Sequence, residues 1–191
     1  MEYSRPRRNG IVAINIIEGD SLVSAVQTNG SQDLIILTRA GMAIRFNESE
    51  IRPVGRSAQG VKGITLSGDD YVAGIVAVVN PQNTLLVVCE NGYGKRTDLD
   101  AFRIIHRGGK GVISIKTSER NGYAVCIMEV VDDDELMMVT QFGILIRLPV
   151  RDIRTIGRVT QGVKMINLAE EDLVVDVERV PSEENGDDFE N

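Results

Sequence analysis

The chain has 191 residues, 42% of them hydrophobic and only 4% aromatic, with no tryptophan and a formal net charge of −7. That is enough apolar material for a buried core, built largely from Val, Ile, Leu and Met. The longest apolar runs, such as Tyr71–Val79, span about nine residues, too short for a membrane helix. No charged-then-apolar leader opens the sequence, so neither a membrane span nor secretion is expected.

Cys89 and Cys126 lie in apolar, strand-like runs without metal-ligand spacing, and read as reduced core thiols of a cytoplasmic protein. The acidic charge is concentrated at one end. Residues 169–191 hold ten acidic residues against Arg179 alone, a net −9, which leaves the first 168 residues at +2. A mildly basic body with an acidic end is the asymmetry of a nucleic-acid surface carrying a tail.

In chain order the sequence repeats itself. Gly10, Gly60, Gly111 and Gly162 open four similar units, at steps of 50, 51 and 51. The first unit reads as strands Gly10–Ile17, Ser21–Thr28, Asp33–Arg39 and Met42–Asn47. The second copies it with Val61–Leu66, Tyr71–Val79, Thr84–Glu90 and Gly94–Asp98, and the third with Val112–Thr117, Tyr123–Val131, Glu135–Gln141 and Ile144–Pro149. β-Branched residues fill these runs, and Gly, Asn and Asp supply the turns between them. No segment keeps a helical period. Four antiparallel strands in about 50 residues make one propeller-type blade. The fourth unit, Gly162–Val180, holds only two strands, so the expected all-β fold is a propeller-like disc of about three complete four-stranded blades plus a partial one. It occupies residues 1–180, followed by an acidic disordered tail over 181–191.

Three arginines keep step with the repeat: Arg45, Arg96 and Arg147; Arg52, Arg103 and Arg154; Arg56, Arg107 and Arg158. The last two series sit in polar connections, Glu48–Gln59, Leu99–Lys110 and Arg151–Gln161, with Lys62, Lys110, Lys116 and Lys164 near the junctions. Charges at one place on every blade form a stripe around one edge. Arginine donates bidentate hydrogen bonds to phosphate oxygens, and each phosphate neutralised releases counterions whatever the base sequence. The stripe therefore points to duplex DNA, gripped through its backbone and bent around a curved surface.

Several segments resemble one family: Val54–Ile64, Asn91–Thr97, His106–Lys116, Thr117–Gly122 and Ile156–Val163 look like the C-terminal domain of the DNA gyrase A subunit, and the likeness extends over Arg7–Val180. The resemblance implies a β-pinwheel, a propeller-like disc whose four-stranded blades exchange strands with their neighbours and whose rim wraps DNA, giving ATP-dependent negative supercoiling its direction. The family's seven-residue box reads Gln-Arg-Arg-Gly-Gly-Lys-Gly. Here Arg107, Gly108, Gly109, Lys110 and Gly111 match it, while Ile105 and His106 depart. Family domains usually have five or six blades, so this chain resembles roughly the second half of one. The implied partners are duplex DNA, the gyrase B subunit, and the rest of the gyrase A subunit, in an A2B2 bacterial assembly associated with the nucleoid. ATP and Mg are used elsewhere in that enzyme, so this segment is expected to be non-catalytic and without a cofactor of its own.

Gly108-Gly109-Lys110-Gly111 superficially suggests a phosphate loop, but Gly111 stands where a nucleotide-binding loop needs Ser or Thr. Asp132–Glu135 reads as a solvated turn, and the lone His106 as a phosphate contact in a basic loop. Tyr71 and Tyr123 read as packing residues. Tyr93 lies in a turn beside Lys95 and Arg96, where it could face DNA. The candidate DNA-binding set is Arg45, Arg52, Arg56, Lys62, Lys95, Arg96, Arg103, His106, Arg107, Gly108, Gly109, Lys110, Lys116, Arg147, Arg154, Arg158 and Lys164. Two alternatives stand beside this reading: a propeller-type protein-interaction module with an acidic tail, and the equivalent domain of the topoisomerase IV A subunit.

Overall fold

The third and fourth apolar runs of each repeat close into tight hairpins, because a glycine with positive φ occupies each turn: Gly41 at 83°, Gly92 at 77° and Gly143 at 82°. The computed structural model describes residues 8–182, so most of the expected acidic tail lies outside the described residues. The strands in chain order are β1 (Asp33–Thr38), β2 (Met42–Asn47), β3 (Val72–Ala77), β4 (Thr84–Cys89), β5 (Tyr93–Asp98), β6 (Val112–Ile113), β7 (Ala124–Val130), β8 (Glu135–Thr140), β9 (Leu145–Pro149), β10 (Val163–Lys164) and β11 (Val174–Val180). The only other regular elements among the described residues are 3-10 turns at Glu48–Glu50, Leu99–Ala101 and Val150–Asp152. No helix there is long and apolar enough to cross a membrane.

The sheets are out of phase with the repeat. Their strand orders are β3-β1-β2-β6, β10-β5-β4-β7 and β11-β8-β9. Each of the first two hairpins therefore takes the second strand of the next unit along one side and the first strand of the unit after that along the other. The all-β pinwheel is thus as expected, but its blades are not the repeats themselves. The described residues form two four-stranded sheets and one three-stranded sheet. The expected strands Gly10–Ile17, Ser21–Thr28 and Val61–Leu66 join none of them, and Val112–Thr117 contracts to the two residues of β6. The reason is the exchange itself: the three unpaired segments would pair with hairpins one or two units upstream, and none is present among the described residues.

The hairpins of the first two sheets bury residues on both faces, whereas in the third β8 alternates buried and half-buried residues and β9 has none buried. In β4, Leu85, Val87 and Cys89 point into a core shared with Ile35, Leu37 and Ile127. Leu86 and Val88 point the other way, to Leu136, Met138 and Val177. Each such side chain contributes about 1.5–3 kcal/mol on leaving water. Burial pushes the thiols of Cys89 and Cys126 up to about 12; both are free, Cys89 within the core and Cys126 partly buried against it.

Candidate nucleic-acid interface

β2 and β5 end in 3-10 turns, and the outer edge of each is then covered by a connection from one unit further along the chain. Ile104 bridges Arg45 of β2, and Thr155 bridges Arg96 of β5. The Ile105 amide donates to the Arg45 carbonyl at 2.9 Å, and that of Ile156 to the Arg96 carbonyl at 2.9 Å. Just beyond, β6 joins β2 and β10 joins β5. Residues 103–113 and 154–164 thus form the outermost edge of two adjacent sheets and carry the basic connections with them. Glycine is required where this edge forms: a Cβ on Gly111 would sit 2.3 Å from the Ala43 carbonyl oxygen, and one on Gly162 2.7 Å from that of Gly94.

The three arginine series separate into three environments. Arg45 and Arg96, each 8% exposed, serve the fold. Arg45 pairs with Asp33 at 2.9 Å and donates to the carbonyls of Leu99 and Phe102. Arg96 pairs with Asp132 at 2.5 Å and donates to Thr155 and the Val150 carbonyl. Arg147, at the same position one unit on, pairs with Glu135 and is exposed. The series at the end of the connections forms clasps: Arg56 donates to the Val12 carbonyl at 3.1 Å, Arg107 to that of Lys62 at 2.9 Å and Arg158 to that of Ile113 at 2.8 Å. These three are half-buried. Only the middle series, Arg52, Arg103 and Arg154, is exposed with no side-chain partner among the described residues.

The lysines divide likewise. Lys62, Lys110, Lys116 and Lys164 are exposed. Lys95 is 0% exposed, and its ammonium donates to the carbonyls of Gly157 and Arg158 at 2.7 and 2.5 Å. Burial, followed by the nearby Arg158 charge, brings its pKa down to about 8, with Cys89 opposing the shift. Lys95 fixes the loop that carries Arg158 and does not itself reach the surface. Gly108 and Gly109 clip the end of their unit onto its own beginning: the Gly108 amide donates to the Gly63 carbonyl at 2.6 Å, and the Gly109 carbonyl accepts from the Thr65 amide at 2.8 Å. His106 is exposed, with Nδ1 3.3 Å from Glu50.

Two exposed arginines outside the sequence-derived set join this surface. Arg151 sits in the third 3-10 turn. Arg120 lies 5.1 Å from the centroid of the Tyr93 ring and donates to its hydroxyl at 3.3 Å; Lys164 approaches the same ring at 5.8 Å. The Arg120 hydrogen bond draws the Tyr93 phenol below its usual range. Arg120 falls outside the arginine register, and a contact spanning 27 residues left no local signal. The Asp132–Glu135 turn is tied up by Arg96, Arg147 and Arg179, and no acidic, His or Cys group among the described residues is arranged to hold a metal.

Known proteins share this architecture over most of the chain. The model of the DNA gyrase C-terminal domain, beta-propeller, matches residues 2–29, 32–78, 83–125 and 134–181. The chain is 46% identical to the A subunit of DNA gyrase from Staphylococcus aureus strain MRSA252 over 190 residues, 97% of its own length and 21% of that protein's. Against the corresponding protein of strain NCTC 8325 it is 47% identical over 179 residues, 93% of its length and 20% of that protein's. The chain thus spans about a fifth of these relatives. A solved DNA gyrase A C-terminal domain superposes with a TM-score of 0.83 at 29% identity, covering 90% of this chain and 58% of that one. The C-terminal domain of DNA topoisomerase IV gives 0.87 at 26%, covering 94% and 56%. By these matched segments and identities, the chain belongs to the DNA gyrase C-terminal domain family of β-propellers.

Proposed function

We propose that this chain binds duplex DNA without regard to base sequence and bends it along the outer edge of the pinwheel, as the wrapping module of a gyrase A subunit. The observation that carries the reading is the edge itself. Arg103, Lys110, Lys116, Arg154 and Lys164 are exposed along the outer strands of adjacent sheets, on loops that Arg107, Arg158 and Lys95 hold in place. Contacts of that kind reach phosphates and position the duplex; they do not read bases. Bending a site of 20–30 bp costs of order 1–6 kcal/mol, which several ionic contacts can offset. In the bacterial cytoplasm, at the nucleoid, the segment would act within an A2B2 assembly with the gyrase B subunit, where ATP hydrolysis elsewhere drives supercoiling. It contributes no catalytic group of its own.

The topoisomerase IV A subunit is the second reading, favoured by the higher TM-score of that neighbour. The 46% identity to a gyrase relative weighs the other way. A duplex of about 40 bp labelled at both ends tests the bending. Titrating the protein at two salt concentrations is expected to raise energy transfer at low salt, with log–log affinity falling by about 0.9 per phosphate contacted. Binding without added transfer would remove the bending claim, and salt-insensitive or absent binding would favour a protein-interaction module.

A further inference from the structure

One turn departs from the others that lead into the second strand of each unit. Asp20, Asp70 and Asp172 hold the same place in three of these turns, and each carboxylate accepts from the next amide, at 2.8, 2.9 and 2.9 Å. Those turns, 18–20, 67–70 and 170–172, contain acidic residues and no base. In the third unit Gly122 stands in that place, and Arg120 lies two residues before it. At this turn alone a capping acid is missing and a base is present.

The turn is fixed from both sides. The Asn121 side chain, 0% exposed, accepts from the Ser118 amide at 2.8 Å and donates to the carbonyls of Lys116 and Gln161, each at 3.1 Å. The Asn91 side-chain amide donates to the Glu119 carbonyl at 3.0 Å. Arg120 is thereby set beside β10, whose Lys164 is paired with Tyr93 of β5. Both cations face the same Tyr93 ring, at 5.1 and 5.8 Å from its centroid. Both are exposed, and neither forms a salt bridge among the described residues. Like charges placed so repel each other until an anion lies between them. The Tyr93 hydroxyl accepts from Arg120 Nε at 3.3 Å, which leaves its own proton to donate.

We infer that Arg120, Lys164 and the Tyr93 hydroxyl form a single anion site that takes one DNA phosphate, fastening the duplex at this corner while the acidic turns of the other units repel it. The inference rests on the DNA-binding reading above and adds to it a contact outside the arginine register. The three groups come from three successive units, the second, third and fourth, so the site depends on strand exchange. The registered arginines recur with the repeat, whereas this contact occurs once among the described residues. A duplex on this edge therefore has one fixed point as well as a track.

Fluorescence anisotropy of a labelled duplex, titrated with the full chain across a salt series, tests this. Arg120→Ala and Lys164→Ala alter exposed side chains without salt bridges, so both variants are expected to fold as the wild type does. Each is expected to bind DNA several-fold more weakly. The double variant is expected to flatten the log–log salt slope by about 0.9 in total, the value for one shared phosphate. Tyr93→Phe keeps both charges but releases Arg120, so binding is expected to weaken with the slope unchanged. Single variants that match a DNA-binding wild type, a double variant that loses about 1.8 as two separate phosphates would, or Tyr93→Phe binding as tightly as the wild type would each overturn the shared site and leave the DNA reading standing. A wild-type chain that does not bind the duplex would remove that reading and the site with it.

Discussion

Three arginines with the same spacing do three different jobs, and substitution separates them. Arg103→Ala or Arg154→Ala removes an exposed guanidinium without a partner, so stability is expected to hold within about 0.5 kcal/mol. DNA affinity drops at every sequence, and the salt slope flattens by about 0.9 for each phosphate no longer neutralised. Arg45→Ala strands Asp33 and two carbonyl acceptors and is expected to cost about 3 kcal/mol in denaturant unfolding. Lys95 adds a pH signature. Its folded pKa, about 8, lies below the ordinary 10.5, so between those values the unfolded chain binds more protons and stability rises with pH. The penalty of holding the ammonium is full below about 8 and lifted by 10.5, a span worth on the order of 3 kcal/mol. Urea midpoints measured from pH 7.5 to 10.5 are expected to climb for the native chain and to flatten for Lys95→Met. Equal slopes would mean that the buried ammonium does not titrate there.

At the level of strands, the same residue in the same conformation has different value depending on what lies beside it. Gly111→Ala forces a Cβ against the Ala43 carbonyl at 2.3 Å as well as adopting an unfavourable φ, and is expected to destabilise by about 3 kcal/mol. Gly10→Ala meets only the conformational cost, about 1 kcal/mol. Comparable losses in thermal or urea unfolding would show that the close crossing at β6 matters little. The same contrast separates what spacing reveals from what it hides. The hairpins are legible because alternation and turn glycines are local: the pattern predicts a strand over Thr84–Glu90, and β4 lies over Thr84–Cys89. Partner choice is not legible from spacing, since Ser21–Thr28 and β3 carry the same pattern and differ only in whether a hairpin stands beside them. The arginine register has the same weakness. Spacing gives Arg45 and Arg52 equal standing, but burial of the first is set by a turn 54 residues downstream, which the second does not meet.

Taken whole, the molecule is interlaced. The first sheet draws strands from three successive repeats, and so does the second. A linear array of self-contained units can come apart one unit at a time, because each touches only its neighbours. Here β10 reaches back past the third unit to β5, so removing either of the first two hairpins strips strands belonging to two later repeats of their seat. The two shared cores reinforce this, because β4 contributes alternate residues to both. A pull on one outer loop is therefore distributed through several repeats before any sheet yields, as in a weave where every strand is crossed by the next. Under the DNA-bending role proposed above, the result is a frame that carries tension collectively.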